Sequence, residues 1–510
     1  MAPRIFSLSA LLLLPCTTLA QSNYRLAPIG GRSTLLGGTG IVYGRDGAAA
    51  FLNPATAVLA DDNRLSFAVN FYTMNLLVAP SFYAPGPTDP NVFGGMNLHN
   101  TATTDFSFNA LPSSLCLFMK IGAVPFLARR ITDPNARAAR FGMCFAMVQN
   151  ETFNFAADGY SETSGSFVTR QAQTVSQSYS RFAVGPTYAM HLTEELAIGA
   201  SLHGTLAAHR SLFAASATTY GATQSVDGAG KPISTLFYAG SRGDSFQFEP
   251  LIGATYRFGK QKIGASIKFP SIHVYGIGGA NRQSNYDGSG TQTSIVTAEG
   301  SFVSRSPMRF SFGTGVEAKW GNAEFNTSFS PPSTGYRVEL EGRDVTTKDG
   351  VLDDRAQRYA LEERARGVFN ASVGAEIFVS QKISALGGFA TDFSALSSGA
   401  LQGSLFNYYP SRTHRLMTSF GIASHGEGGE LLVGGELSAG WGQRLAVNSY
   451  QLPPAVQTTG HATFQLMLVI AGSTSLKAIQ RAVTDVKRVI TEPRRDRPAT
   501  PHNPEEPTGR

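Results

Sequence analysis

The chain has 510 residues, of which 42% are apolar and only 15% charged, with 54 glycines, 34 phenylalanines and a formal charge of +6. Soluble domains carry about 25% charged residues, and past the N-terminus no apolar run reaches the roughly 18 residues of a membrane helix. These figures exclude a helical membrane protein and a basic nucleic-acid binder. They point instead to a β-barrel, in which apolar residues are spread along alternating strands.

Residues 1–20 read as a signal peptide. Arg4 gives the positive end, "IFSLSALLLLP" the apolar stretch, and Thr18-Leu19-Ala20 the small-residue cleavage site. Cys16 lies inside it, and Pro15 before it argues against lipidation. Only Cys116 and Cys144 remain, too few for a disulfide scaffold.

The next segment, 21–62, is rich in Gly and Ala and has no long strand of its own. Asn53 suits a helix N-cap and Pro54 the first helical position, which predicts a short helix over 54–60. "GRDGAAAFL", ending in Phe51 and Leu52, predicts another short helical piece, broken because a residue before proline avoids the α region. "GGTGIVYG" at 37–44 is read as a turn. No strand precedes it and no Lys-Ser/Thr follows, as a phosphate loop would need. A segment of this kind, starting in the periplasm, is expected to fold back into a barrel lumen as a hatch.

Period-two alternation then predicts 14 strands, near 65–79, 113–122, 139–150, 178–191, 195–210, 244–258, 261–275, 303–319, 322–338, 366–379, 382–394, 411–424, 429–442 and 460–472. Links after strands 4, 6, 8, 10 and 12 are short; those after 1, 5, 7, 9 and 11 are long and polar. That asymmetry fits short periplasmic turns and long external loops. The link after strand 2, "AVPFLARRITDPNARAA", is long where a short one is expected. The expected fold is therefore all-β: a 14-stranded antiparallel transmembrane barrel over 63–473 with its hatch in the lumen. Leu476, Ile479, Val483, Val486 and Ile490 predict an amphipathic helix over 474–492, and the Pro-rich, charged 493–510 a disordered tail.

Strand parity turns Arg257, Lys268, Arg309 and Lys319 inward, with Glu249, Glu317 and Glu324 among them. They form either a clamp for an anionic head group or, more commonly in such barrels, a lumen network paired with itself. Cys116 and Cys144 share inward parity on strands 2 and 3, so a bridge or two free thiols are both open. His191, His203 and His273 are too scattered for a metal site. No nucleophile motif is present, so neither catalysis nor a cofactor is expected.

"DGAAAFLNPATAVLADDNRLSFAVNFY" resembles the N-terminal hatch and first strand of the FadL/TodX family of outer-membrane transporters for hydrophobic compounds. Asn53-Pro54-Ala55, after the run ending in Phe51, matches the family's hatch signature, and fourteen strands match its barrel. The resemblance implies a barrel in the outer membrane of a Gram-negative bacterium, and passive uptake of fatty acids or aromatic hydrocarbons with sideways release into the bilayer. The implied partners are those ligands, outer-membrane lipid, lipopolysaccharide and the barrel-assembly machinery. An opening in the wall is expected near strand 3. The alternative is a porin-like channel or an adhesive, structural barrel.

Overall fold

The computed structural model describes residues 23, 29–60, 63–78, 102–108, 112–123, 138–163, 167–221, 233–287, 290–396, 412–426, 428–448 and 455–478. The signal peptide, most of the long link after strand 2 and the tail from 479 onward lie outside the described residues. Of the expected terminal helix, only its first turn at 476–478 is described.

The strands form fourteen staves. β1 is Arg64–Val78, and β2 is Ala102–Phe108 continued by Pro112–Lys120. β3 is Arg140–Thr163, β4 Phe167–His191, β5 Leu196–Gly221 and β6 Ile233–Phe258. The next four are each interrupted once. β7 is Gln261–Lys268 and Ile272–Asp287, and β8 is Thr291–Val303 and Arg309–Ala318. β9 is Gly321–Ser330 and Ser333–Lys348, and β10 is Val351–Ala365 and Val368–Phe378. β11 (Ile383–Asp392), β12 (Arg412–Gly426), β13 (Gly429–Asn448) and β14 (Ala455–Ser475) complete the wall. Neighbours pair antiparallel throughout. β14 pairs with β1 from Arg64↔Ser475 to Val78↔Ala462, and this closes the barrel.

Alternation decides the two faces. On β6, Gln247, Glu249 and Leu251 are buried inside, while Phe248, Ile252, Tyr256 and Phe258 are exposed outside. An exposed aromatic and aliphatic face suits lipid, and the small or polar inner face suits a wet bore. Three of these four interruptions fall where the backbone loses a donor; the fourth, Arg366-Gly367 in β10, lies against Pro332 of β9. Pro270, Pro307 and Pro331-Pro332 sit at the breaks of β7, β8 and β9, because proline has no N–H for the ladder.

The strands are longer than their sequence pattern predicts. β3 to β6 run for 24, 25, 26 and 26 residues, where a tilted strand needs only about 9–11 to cross a bilayer. Two regions expected as long loops, after strands 7 and 9, are hairpins. The second turns tightly at Asp349-Gly350 with φ of 49° and 83°, the left-handed pair that a type I′ hairpin turn requires. Polar composition concealed these extensions, because beyond the bilayer both strand faces meet water.

One seam is incomplete. β2 and β3 pair only from Ser114↔Ala146 to Lys120↔Arg140. Among the described residues, the outer part of β2 pairs with β1 alone and β3 beyond Ala146 pairs with β4 alone. At the foot of this wedge β3 carries a bulge, with Val148 as the extra residue between Met147↔Phe182 and Gln149↔Arg181. Just below, Cys116 and Cys144 face each other in register, their Cα atoms 4.2 Å apart and their sulfurs joined in a disulfide. Peptide mapping without reductant should recover the two cysteines in one cross-linked species. Free thiols at both positions would contradict this pairing.

Candidate functional site: the hatch and the bore above it

Residues 29–60 fill the bore at its short-turn end. A helix not expected from the sequence, α1 (Gly31–Leu35), is followed by a glycine turn, by α2 (Ala49–Leu52) and by a 3₁₀ turn, Pro54–Leu59. Asn53 is wholly buried. Its side-chain oxygen accepts from the N–H of Ala55 at 3.1 Å, and its amide donates to the carbonyls of Ile41 (2.7 Å) and Ala254 (3.2 Å). One residue thus caps its own turn, fixes the preceding turn and ties the hatch to β6.

Wall side chains satisfy much of the hatch backbone. Glu324 of β9 accepts from the N–H groups of Gly40 (2.9 Å), Val42 (2.9 Å) and Tyr43 (3.1 Å). Ser419 of β12 accepts from Gly37 N–H at 2.8 Å and donates to the Leu35 carbonyl at 3.0 Å. Ser266 of β7 donates to the Leu52 carbonyl at 2.7 Å, and Ser114 of β2 accepts from Gly30 N–H at 3.1 Å. A buried backbone group without a partner would be costly, so these side chains hold the hatch in one seat.

Its strongest anchor is Arg32. The guanidinium pairs with Glu376 of β10 and, at 2.7 Å, with Glu430 of β13. Burial works to lower the pKa of Arg32, but Glu430 and Glu376 outweigh it and hold the group above its ordinary value. Ser384 donates to Glu376 at 2.6 Å and Asn322 at 3.1 Å, and His425 lies 3.6 Å from Glu430. Asp46, which accepts from the N–H groups of Arg32 (3.0 Å) and Ala48 (3.0 Å), is pushed above the usual carboxylate range by burial.

The wall accepts the hatch through glycines. A Cβ at Gly199 would stand 2.5 Å from Ala55 N. At Gly253, Gly264, Gly315, Gly374 and Gly388 it would run into Asn53, Ile41, Tyr43, Leu36 and Gly37 respectively. Close approach of two backbones requires the missing side chain.

Outward of the hatch, Glu249 meets Arg181 and, at 2.7 Å, Lys268; Ser306 donates to Glu249 at 2.5 Å. Arg309 lies within electrostatic range of Glu249 and Arg181. Arg309 also lines a cavity of about 90 Å³, floored by Gly37, Gly38, Ile41 and Leu52 of the hatch and walled by Ser311, Asn326 and Asn370. Phe51 stacks on His203 with ring centroids 4.4 Å apart, and His203 pairs across the ladder with Glu249.

The structure therefore brings together Lys268, Arg309 and Glu249 of the expected inward charges, and seats Phe51, Asn53, Pro54 and Ala55 in the hatch. It does not bring Arg257 to them. Arg257 is exposed near the short-turn end, and Lys319 is exposed in the turn after β8. Both share the inward parity, but parity says nothing of height along the bore. Glu317 stays near the mouth with Lys262 at 3.7 Å, and Glu324 serves the hatch rather than the cluster. Sequence reasoning missed Arg181, Arg32, Glu376 and Glu430. Arg181 and Glu376 lie on strands whose alternation marked them as inward; nothing in the sequence signalled a buried arginine in the hatch.

No family model and no curated protein matches the chain. Solved structures do. A FadL homologue from Pseudomonas aeruginosa aligns at TM-score 0.51 and 12% identity, over 88% of this chain and 99% of that one. The CymD monoaromatic hydrocarbon channel aligns at 0.48 and 14%, over 89% and 99%. The toluene transporter TodX of Pseudomonas putida aligns at 0.47 and 12%, over 89% and 100%. The chain has the fold of the FadL-type outer-membrane barrels.

Replacing Arg32 with alanine leaves the buried Glu376 and the partly buried Glu430 without their cation, a loss of about 3–5 kcal/mol for breaking a buried pair. Arg32→Ala should unseat the hatch and raise planar-bilayer conductance well above the intact protein, and Gly264→Val should do the same by steric exclusion. Both variants remaining as silent as the parent would show that neither contact holds the hatch.

Proposed function

We propose that this outer-membrane barrel carries hydrophobic compounds such as long-chain fatty acids inward, passively, and releases them sideways between β2 and β3. The carrying observation is the wedge above Ser114↔Ala146, where the two strands share no ladder among the described residues. The hatch fills the axial path, which leaves the wedge as the exit in this reading; the cavity itself is walled by β8 to β11, across the hatch from that seam. An apolar molecule gains nothing from a wet lumen and gains by leaving it for lipid.

The Arg181–Glu249–Lys268 cluster, with Arg309 beside it, supports an acid over a plain hydrocarbon. Arg181 and Lys268 present charge-assisted donors there, which suit a carboxylate. A FadL-type fold is compatible with this reading. A seated hatch argues against a general porin. An adhesive role would use the long hairpins and would need no hatch bonded to so many staves.

Deleting Val148 removes the bulge and lets β3 run straight along β2. Oleate uptake into proteoliposomes should then fall to background while conductance stays silent. Undiminished uptake would sink the lateral route, and a large steady conductance of the intact protein would favour a pore. Lys268→Met should weaken oleate binding by roughly tenfold, since a hydrogen bond to a charged group contributes about 1.5–3 kcal/mol, and should spare the corresponding alcohol. Equal effects on acid and alcohol would contradict the head-group role.

A further inference from the structure

On β12, Thr413, Met417 and Ser419 are buried toward the bore, so the alternate residues His414, Thr418, Phe420 and Ile422 belong to the outer face. His414 stands opposite Trp441 of β13, their rings 6.1 Å apart, with Phe393 edge-on at 5.8 Å. From Leu431 to Trp441 the exposed side of β13 is mainly apolar, about the 9–11 residues that cross the hydrocarbon. Trp441 and His414 therefore lie at the outer edge of the lipid band, where aromatic girdles sit.

Arg366, in the break of β10, reaches this level. Its backbone N–H donates to the Ala395 carbonyl at 2.8 Å and its Nε to the Ser394 carbonyl at 3.1 Å, which fixes the guanidinium. The N–H of Ser394 donates to His414 Nδ1 at 3.3 Å. A neutral imidazole accepts at one nitrogen and carries its proton on the other, so Nε2 of His414 bears the hydrogen. Arg366 Nη2 is 3.4 Å from that nitrogen. Two donors thus converge on one another with no acceptor between them. Arg412 lies within electrostatic reach of both. Among the described residues neither arginine has an ion-pair partner; the sequence from 397 to 411 contains no Asp or Glu, and along Arg366's own strand the nearest acids are Glu362 and Glu363.

We propose that Arg366, His414 and Arg412, edged by Trp441 and Phe393, bind a phosphate group of an outer-leaflet glycolipid, which in this membrane is lipopolysaccharide. An anionic oxygen between Arg366 Nη2 and His414 Nε2 supplies the missing acceptor. The acyl chains then lie along the apolar wall below Trp441. Interfacial arginines contribute to anionic lipid binding in this way, and the flanking rings favour a lipid over a free ion.

The test is native mass spectrometry of the detergent-solubilised full chain titrated with bisphosphorylated lipopolysaccharide. The parent should retain the glycolipid, and Arg366→Ala with Arg412→Ala should lower its affinity by roughly thirtyfold, from the contribution of two interfacial cations. Lys382→Ala, which removes an exposed charge at the opposite rim, should change nothing. Phosphatase-treated glycolipid should bind as weakly as the double variant does. Equal binding of the treated and untreated forms would overturn the proposal, as would full competition by inorganic phosphate at the glycolipid's own concentration. Folding of each variant is read from its heat-dependent gel mobility. If the double variant does not assemble, His414→Phe keeps the ring contacts, removes one donor, and should still show the loss.

Discussion

A backbone inside hydrocarbon has no water to bond, so every N–H and C=O must find a partner within the protein. The pairing of β14 with β1 meets that demand by leaving the sheet without an edge. The other features are adjustments to this closure. Proline breaks in β7, β8 and β9 are tolerated because a residue at the break still finds a carbonyl across the seam, as Ser271 N–H does at Ser306. The wedge between β2 and β3 is the exception that calls for an explanation, and it stands directly above a covalent tie, Cys116 to Cys144, on the last paired turn of that seam. The bond fixes where the unpaired region ends, and Cys116 packs on Gly47 of the hatch. Hatch and wedge therefore meet at one place.

The hatch and the wall are complementary in two different currencies. Glycines on β5, β6, β7, β8, β10 and β11 let hatch backbone approach closely, while Glu324, Glu376, Glu430, Ser419 and Ser266 answer its donors and acceptors. Shape alone would allow the segment to slide, and buried charge alone would be expensive. Together they specify one seat. The two carboxylates around Arg32 exceed its charge, and the neighbouring Ser384, Asn322 and His425 share that excess.

Much of this was legible in the sequence for a physical reason. A strand facing lipid on one side and water on the other must alternate, so β4, β6 and β12 announce themselves and their inner residues. Asn53-Pro54 announces a capped turn because few other dipeptides suit both positions. The outer halves of β3 to β6 were not legible, since a strand wetted on both faces loses its alternation and reads as loop. Nor was the partition of inward charges: Arg257 and Lys268 share one parity, yet one is at the mouth and the other in the cluster. Height along a tilted strand depends on shear between staves, which is a property of the closed sheet and not of any one segment.

That geometry constrains how a ligand could act on the hatch. Moving a two-state element from 1:99 to 99:1 takes about 5.5 kcal/mol of differential binding, and releasing Arg32 from its two carboxylates would consume most of that. The cavity does not touch Arg32. It touches Gly37, Gly38, Ile41 and Leu52, at and beside the glycine turn. This turn is pinned by hydrogen bonds to Glu324 and Ser419 and has left-handed φ at Gly37 and Gly38 of 71° and 79°. A ligand in the cavity that trades those few bonds for its own contacts needs far less energy than one that expels the whole segment. For the proposed uptake, the economical motion is a rearrangement of residues 37–43 with Arg32 left anchored, so the bore need not open to ions while a solute passes toward the wedge.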